Sequence, residues 1–101
     1  MNESPPAISL ELTTKVLASK DVLGAELGGE ATLLNLKSGM YFTLNPVGAS
    51  LWRQIQEARS LAEIIQQLVE EYDVEARRCE HDSRRLIQEL QSLGLVEFIP
   101  A

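Results

Sequence analysis

Leu36-Lys-Ser-Gly-Met-Tyr-Phe-Thr-Leu-Asn-Pro-Val-Gly-Ala-Ser-Leu-Trp52 reads as a strand end, a tight turn, a short strand and an immediate helix start. Lys37-Ser38-Gly39 supplies the turn, with Gly39 free to take positive φ. From Met40 to Leu44, apolar Met40, Phe42 and Leu44 alternate with Tyr41 and Thr43, the pattern of a half-buried strand. Asn45 can cap the helix that follows, and Pro46 suits its first position, where no amide donor is needed. A strand at a sheet edge is thereby fixed against helices within a few residues. Such an edge offers unpaired N–H and C=O groups to another extended chain, which is the physical opening for peptide binding.

Outward from this stretch, the pattern before it is β and the pattern after it is helical. Leu23, Ala25 and Leu27 alternate, Gly28-Gly29 is a two-residue hairpin signal, and Glu30 to Leu36 alternates again. Thr32, Leu34 and Leu36 fall on one face of that strand, Ala31 and Leu33 on the other. Three short strands joined by two tight turns predict an antiparallel meander whose first and third strands are edges. After it, Val47, Leu51 and Ile55 recur at helical spacing with Trp52 alongside. Ser60-Leu61-Ala62-Glu63 is a capping box that opens a helix with Leu61, Ile64, Ile65, Leu68, Val69 and Tyr72 on one face. A third helix is expected from about Glu75 to Leu93, with Cys79, Leu86, Leu90 and Leu93 on one stripe, Ile87 beside it and Gly94 as the stop. Leu95, Val96, Phe98 and Ile99 then suit a short extended tail packing back. Strands followed by helices argue for α+β, and the parts match a winged-helix arrangement.

Residues 1–7, with Ser4-Pro5-Pro6, read as a flexible lead-in. Ile8, Leu10 and Leu12 alternate, but no turn signal says where they pair: an extra edge strand, an arm to another subunit and a loose segment all remain open. We therefore read residues 1–20 as an N-terminal arm and 21–99 as the domain. The arm and the free edge leave room for a homodimer by strand exchange.

The chain has 101 residues, room for one domain and one core, and its 45% hydrophobic and 24% charged residues are those of an ordinary globular domain. A net charge of −6 disfavours generic attraction to nucleic acid and to anionic membranes. With one cysteine, no basic-then-apolar N-terminal segment and no apolar run long enough to span a bilayer, the expected address is the cytoplasm.

Catalysis and metal binding find little support. The single His and single Cys sit two apart in Cys79-Glu80-His81, so on a helix they point to different sides, and a zinc site normally needs three or four protein ligands. Asp82-Ser83 beside His81 cannot converge on one helix as a triad, and no phosphate-cradling glycine pattern exists. No cofactor and no metal are expected. Cys79 reads as a small core residue, His81 as a solvated one.

Four of the nine basic residues, Arg77, Arg78, Arg84 and Arg85, fall in the third helix. In a winged helix that element is the usual DNA reader, which makes a DNA-binding transcriptional regulator the alternative function. Against it, Glu75, Glu80, Asp82 and Glu89 balance the four arginines, and phosphate binding prefers a patch that is net positive.

Between Asp21 and Glu97, about three quarters of the chain, the sequence resembles the PqqD-like family, recognition domains for precursors of ribosomally made, post-translationally modified peptides. The resemblance is carried by Ala31-Thr-Leu-Leu-Asn-Leu-Lys-Ser-Gly-Met-Tyr-Phe-Thr-Leu-Asn45, Val47-Gly48-Ala49-Ser50-Leu51-Trp52, Ser60-Leu61-Ala62-Glu63-Ile64, Tyr72-Asp73-Val74, Leu86-Ile87-Gln-Glu-Leu90 and Gly94-Leu95-Val96, in that order. It implies a winged-helix-like, non-catalytic domain that binds the leader of a precursor peptide as a strand added beside the third strand, in a groove against the third helix. The domain then presents the peptide to a modifying enzyme, such as a radical SAM enzyme or a leader protease. Carried over, the backbone of Met40, Tyr41, Phe42, Thr43 and Leu44 pairs with the leader, and Arg77, Arg78, His81, Arg84, Arg85 and Gln88 form the groove wall. Stand-alone members serve quinone-cofactor and lasso-peptide pathways, and the sequence does not separate the two. Arginines clustered in an acidic chain suggest pairing with acidic leader residues, since the guanidinium fork matches a carboxylate.

Overall fold

The computed structural model describes residues 9–100. Nine elements follow in order: β1 (Lys15–Ala18), β2 (Val22–Leu27), β3 (Glu30–Asn35), β4 (Tyr41–Leu44), α1 (Pro46–Gln54), β5 (Arg59–Ser60), α2 (Leu61–Tyr72), α3 (Ala76–Ser92) and β6 (Val96–Ile99). The fold is α+β, and the expected meander is present as an antiparallel sheet in the order β2-β3-β4. Gly28 and Gly29, both at positive φ, make its first turn. Leu36 lies beyond the end of β3 and is exposed.

The helix starts form as their sequences dictate. Asn45 accepts from the Gly48 amide at 2.8 Å, with Pro46 in the first turn of α1. At α2 the Ser60 hydroxyl accepts from the Glu63 amide at 3.1 Å, and the Glu63 carboxylate accepts from the Ser60 amide at 2.9 Å. The Ser60 amide first, and then the Ser60 hydroxyl beside the carboxylate, hold the Glu63 carboxyl below the ordinary carboxylate range. Gly94, at φ 73°, ends α3.

The structure adds a second sheet, in the order β5-β1-β6. The extended tail is its edge strand β6, paired antiparallel with β1 from Lys15↔Ile99 to Ala18↔Val96. Residues 15–18, read above as part of the arm, therefore belong to a sheet of the folded unit. The alternating Ile8–Leu12 segment is not a strand over its described residues, and Ile8 lies outside them. Its burial comes instead from Leu10, which inserts into the core, while the Arg84 guanidinium on α3 donates to the Leu10 carbonyl.

One apolar core joins the two sheets and the three helices. It contains Val16 from β1, Leu33 from β3, Leu51 and Ile55 from the α1 region, Leu61, Ile64 and Leu68 from α2, and Ile87 and Leu90 from α3. Ala31, Leu33 and Asn35 are the inward residues of β3. The opposite face of the meander looks outward, and Leu23, Leu34 and Tyr41 form one cross-strand row on it. Among the described residues, no helix is long and apolar enough to cross a membrane.

Candidate peptide-binding groove

Strand β4 is paired on one side only, with β3. The register decides which of its polar groups are free. The Asn35 amide donates to the Met40 carbonyl at 2.9 Å, so Asn35 and Met40 form a hydrogen-bonded pair. Antiparallel pairs alternate, which makes Leu33–Phe42 and Ala31–Leu44 the next two bonded pairs. Phe42 and Leu44 thus turn their N–H and C=O toward β3. Tyr41 and Thr43 turn theirs to the open side, two donors and two acceptors ready for a guest strand.

Beside that open side runs a groove of about 420 Å³ between β4, α1 and α3. Its walls are Leu44, Val47, Leu51, Val74 and Leu86, with Cys79 and Ser83 deeper in and Arg78 and Asp82 at the rim. Gly48 makes it possible. A Cβ there would stand 3.2 Å from two Leu44 side-chain carbons and 3.3 Å from Leu86 Cδ2. Any side chain there would push strand, helix and groove floor apart by a few tenths of an ångström. At the other end of β4, a depression of about 220 Å³ lies between Met40, Tyr41 and Phe42 on one side and Glu89 and Leu93 on the other, with Asn35 and Leu95 also lining it.

On α3, Arg78, Asp82, Leu86, Glu89 and Leu93 follow at spacings of three and four, one continuous stripe. All five line the groove or the second depression, so this is the stripe turned to β4. Among the arginines expected in the wall, Arg78 is on it, pairing with Asp82 at 3.8 Å. Arg85 sits beside it, in a shallow dent shared with Arg77, Arg78 and His81. Arg77, His81, Arg84 and Gln88 form a second stripe at the same spacing. Arg84 on that stripe is occupied: its Nε donates to Glu80 at 2.9 Å, and its other contact is Leu10. Gln88 is exposed and lines none of these hollows. The sequence reading missed Asp82, Glu89, Val47 and Val74 as lining residues and placed Leu86 only in the core. Val47 carried a usable signal, an apolar residue in the first turn of α1, three positions after Leu44.

Because Arg84 holds the 9–14 segment down, Arg84→Ala is expected to lower stability by about 1–2 kcal/mol, the order of a hydrogen bond from a charged donor plus packing. Urea unfolding checks this, with a drop in the midpoint at constant m-value expected.

Among the described residues, no group of three or more His, Cys, Asp and Glu side chains is placed to hold a metal ion. Cys79 is buried, 3.9 Å from the Ser83 hydroxyl, and His81 is exposed. Open backbone groups beside an apolar trough can take an extended peptide, side chains into the trough and main chain onto β4.

The family described as Coenzyme PQQ synthesis protein D (PqqD) matches residues 30–96 of this chain. Two solved structures are similar. "TbiB1 in Complex with the TbiA(beta) Leader Peptide" is 32% identical, with a TM-score of 0.74, over 80% of this chain and 94% of that one. "Lasso peptide synthetase B1 complexed with the leader peptide" is 27% identical, with a TM-score of 0.71, over 81% and 96% of the two chains. No curated protein matches.

Proposed function

The chain belongs to the PqqD family, and from that premise we propose that it binds the leader segment of a ribosomally made precursor peptide by strand addition to β4. The observation that carries this reading is the unpaired side of β4, with Tyr41 and Thr43 facing outward, beside an apolar groove. Two similar chains are complexes with leader peptides, which supports it.

The energetics divide the task. Four main-chain hydrogen bonds at about 1 kcal/mol net each roughly balance the ~2–5 kcal/mol needed to order a free leader. Affinity must then come from apolar side chains, at about 1.5–3 kcal/mol for each one fully buried. The groove supplies that burial, and in this reading Arg78 at its rim, with Arg77 and Arg85 in the dent beside it, meets acidic leader residues, while Arg84 is taken up by Glu80 and Leu10.

In this reading the protein performs no catalytic step. It works in the cytoplasm, where a ribosomal precursor emerges, and hands the peptide to a modifying enzyme. The outward row Leu23, Leu34 and Tyr41, of which Leu23 is 59% and Tyr41 70% exposed, supports a docking partner on the outer face of the meander.

The test is titration of isotope-labelled protein with the leader of the precursor encoded beside its gene. Amide shifts are expected at residues 40–45, 78, 82, 86 and 89. Shifts confined to β2 or to the second sheet, or no binding at all, would sink the reading.

A further inference from the structure

Asn35 is a buried polar side chain, 7% exposed, at the point where β3 turns toward β4. Its Oδ1 accepts from the Lys37 amide at 2.9 Å and from the Ser38 amide at 3.2 Å. Two amide donors on one atom identify that atom as the oxygen, so the NH2 group must face the other way. There its Nδ2 donates to the Leu93 carbonyl at 2.9 Å, 58 residues along the chain. Leu93 is the C-cap of α3, and its carbonyl is one that a helix end otherwise leaves without a partner. Gly94 lets the approach happen, since a Cβ at that residue would stand 3.2 Å from Asn35 Nδ2. One side chain therefore ties the β3–β4 turn to the end of α3.

The tie sits in the wall of the depression between Met40–Phe42 and Glu89–Leu93. At this end of the groove nothing else polar joins the two walls: among the described residues, no other side-chain hydrogen bond links the Lys37–Phe42 segment to α3. We propose that Asn35 is a positioning residue for peptide capture, fixing the gap between β4 and α3 so that a guest strand meets the β4 backbone and the α3 stripe at once. The inference rests on the strand-addition reading. A receptor whose gap is set beforehand spends less of its binding energy on ordering itself.

The chemistry offers a clean separation of the two halves of the side chain. Asn35→Asp keeps an oxygen for the Lys37 and Ser38 amides, so the turn persists. It replaces the NH2 that meets Leu93 with a second oxygen, unprotonated at neutral pH and facing a carbonyl. Affinity for a fluorescein-labelled synthetic peptide of the neighbouring precursor's leader is measured by anisotropy at pH 7.5, with thermal unfolding alongside.

At pH 7.5 we expect Asn35→Asp to bind at least tenfold more weakly than wild type while still folded. A purely structural role would lower the melting temperature but leave the affinity of the folded protein unmoved. If Asn35→Asp fails to fold at pH 7.5, Asn35→Ser takes its place: its hydroxyl still accepts in the turn and is too short to reach Leu93. The same tenfold loss at pH 7.5 is expected of it. Binding of the folded variant within twofold of wild type at pH 7.5 overturns the inference and leaves the strand-addition reading intact. Failure of the wild-type protein to bind the peptide overturns both.

Discussion

Thr43→Pro is expected to weaken leader binding by at least tenfold while leaving the protein folded. Thr43 turns its N–H to the open side of β4, so a proline there removes a donor that only a guest can use. About 1 kcal/mol disappears with the hydrogen bond, and the ring stands where the guest backbone must approach, which takes the loss past the 1.4 kcal/mol that corresponds to a factor of ten. Phe42→Pro is the control. Phe42 turns its N–H to β3, so proline at that position breaks the meander itself and shows as a stability loss before any binding is measured. Equal affinity of Thr43→Pro and wild type for the leader would mean that the guest does not pair with β4.

Gly48→Val is expected to close the groove. The first carbon of any side chain at residue 48 already stands within 3.3 Å of Leu44 and Leu86, and valine adds two more methyl groups in the same space. Leu44 is 2% exposed and belongs to a strand paired with β3, so it has little room to retreat. Overpacking of this kind costs about 1–3 kcal/mol of stability, lessened slightly because valine is a better helix residue than glycine. The bound peptide should lose its apolar contacts altogether. Denaturant unfolding and peptide titration on the same sample check both, and undiminished affinity would place the guest's side chains elsewhere.

What the sequence disclosed about this fold was mostly local. The two turns of the meander, the Asn45 cap, the Ser60–Glu63 box and the Gly94 stop each depend on residues within four positions of one another, and each is present. The second sheet was hidden because β1 is four residues long, β5 two, and β1 meets β6 some eighty positions away. No short-range pattern records such a partner. For the same reason Leu10 read as one beat of a strand, although a single inward contact accounts for its apolar character.

The site divides along the same line. The alternation of Met40 to Leu44 locates the strand, and the register then names Tyr41 and Thr43 as the residues with free main-chain groups. On α3, spacing sorts residues into stripes, but only the docking of the helix decides which stripe meets β4. Arg77, His81, Arg84 and Gln88 make as regular a row as Arg78, Asp82, Leu86, Glu89 and Leu93, and the second of these lines the groove. Asn35 gave no sign at all, because a turn asparagine looks the same whether or not its free amide reaches a helix end.

The pairing of Lys15 with Ile99 has a further consequence. The first and last strands of the folded unit lie side by side, in a sheet that does not contain β4. A unit with adjoining ends can be spliced into a surface loop of a host protein without pulling that loop apart. Joined to a host in that way, the unit would keep β4 clear of the junction, because β4 belongs to the other sheet.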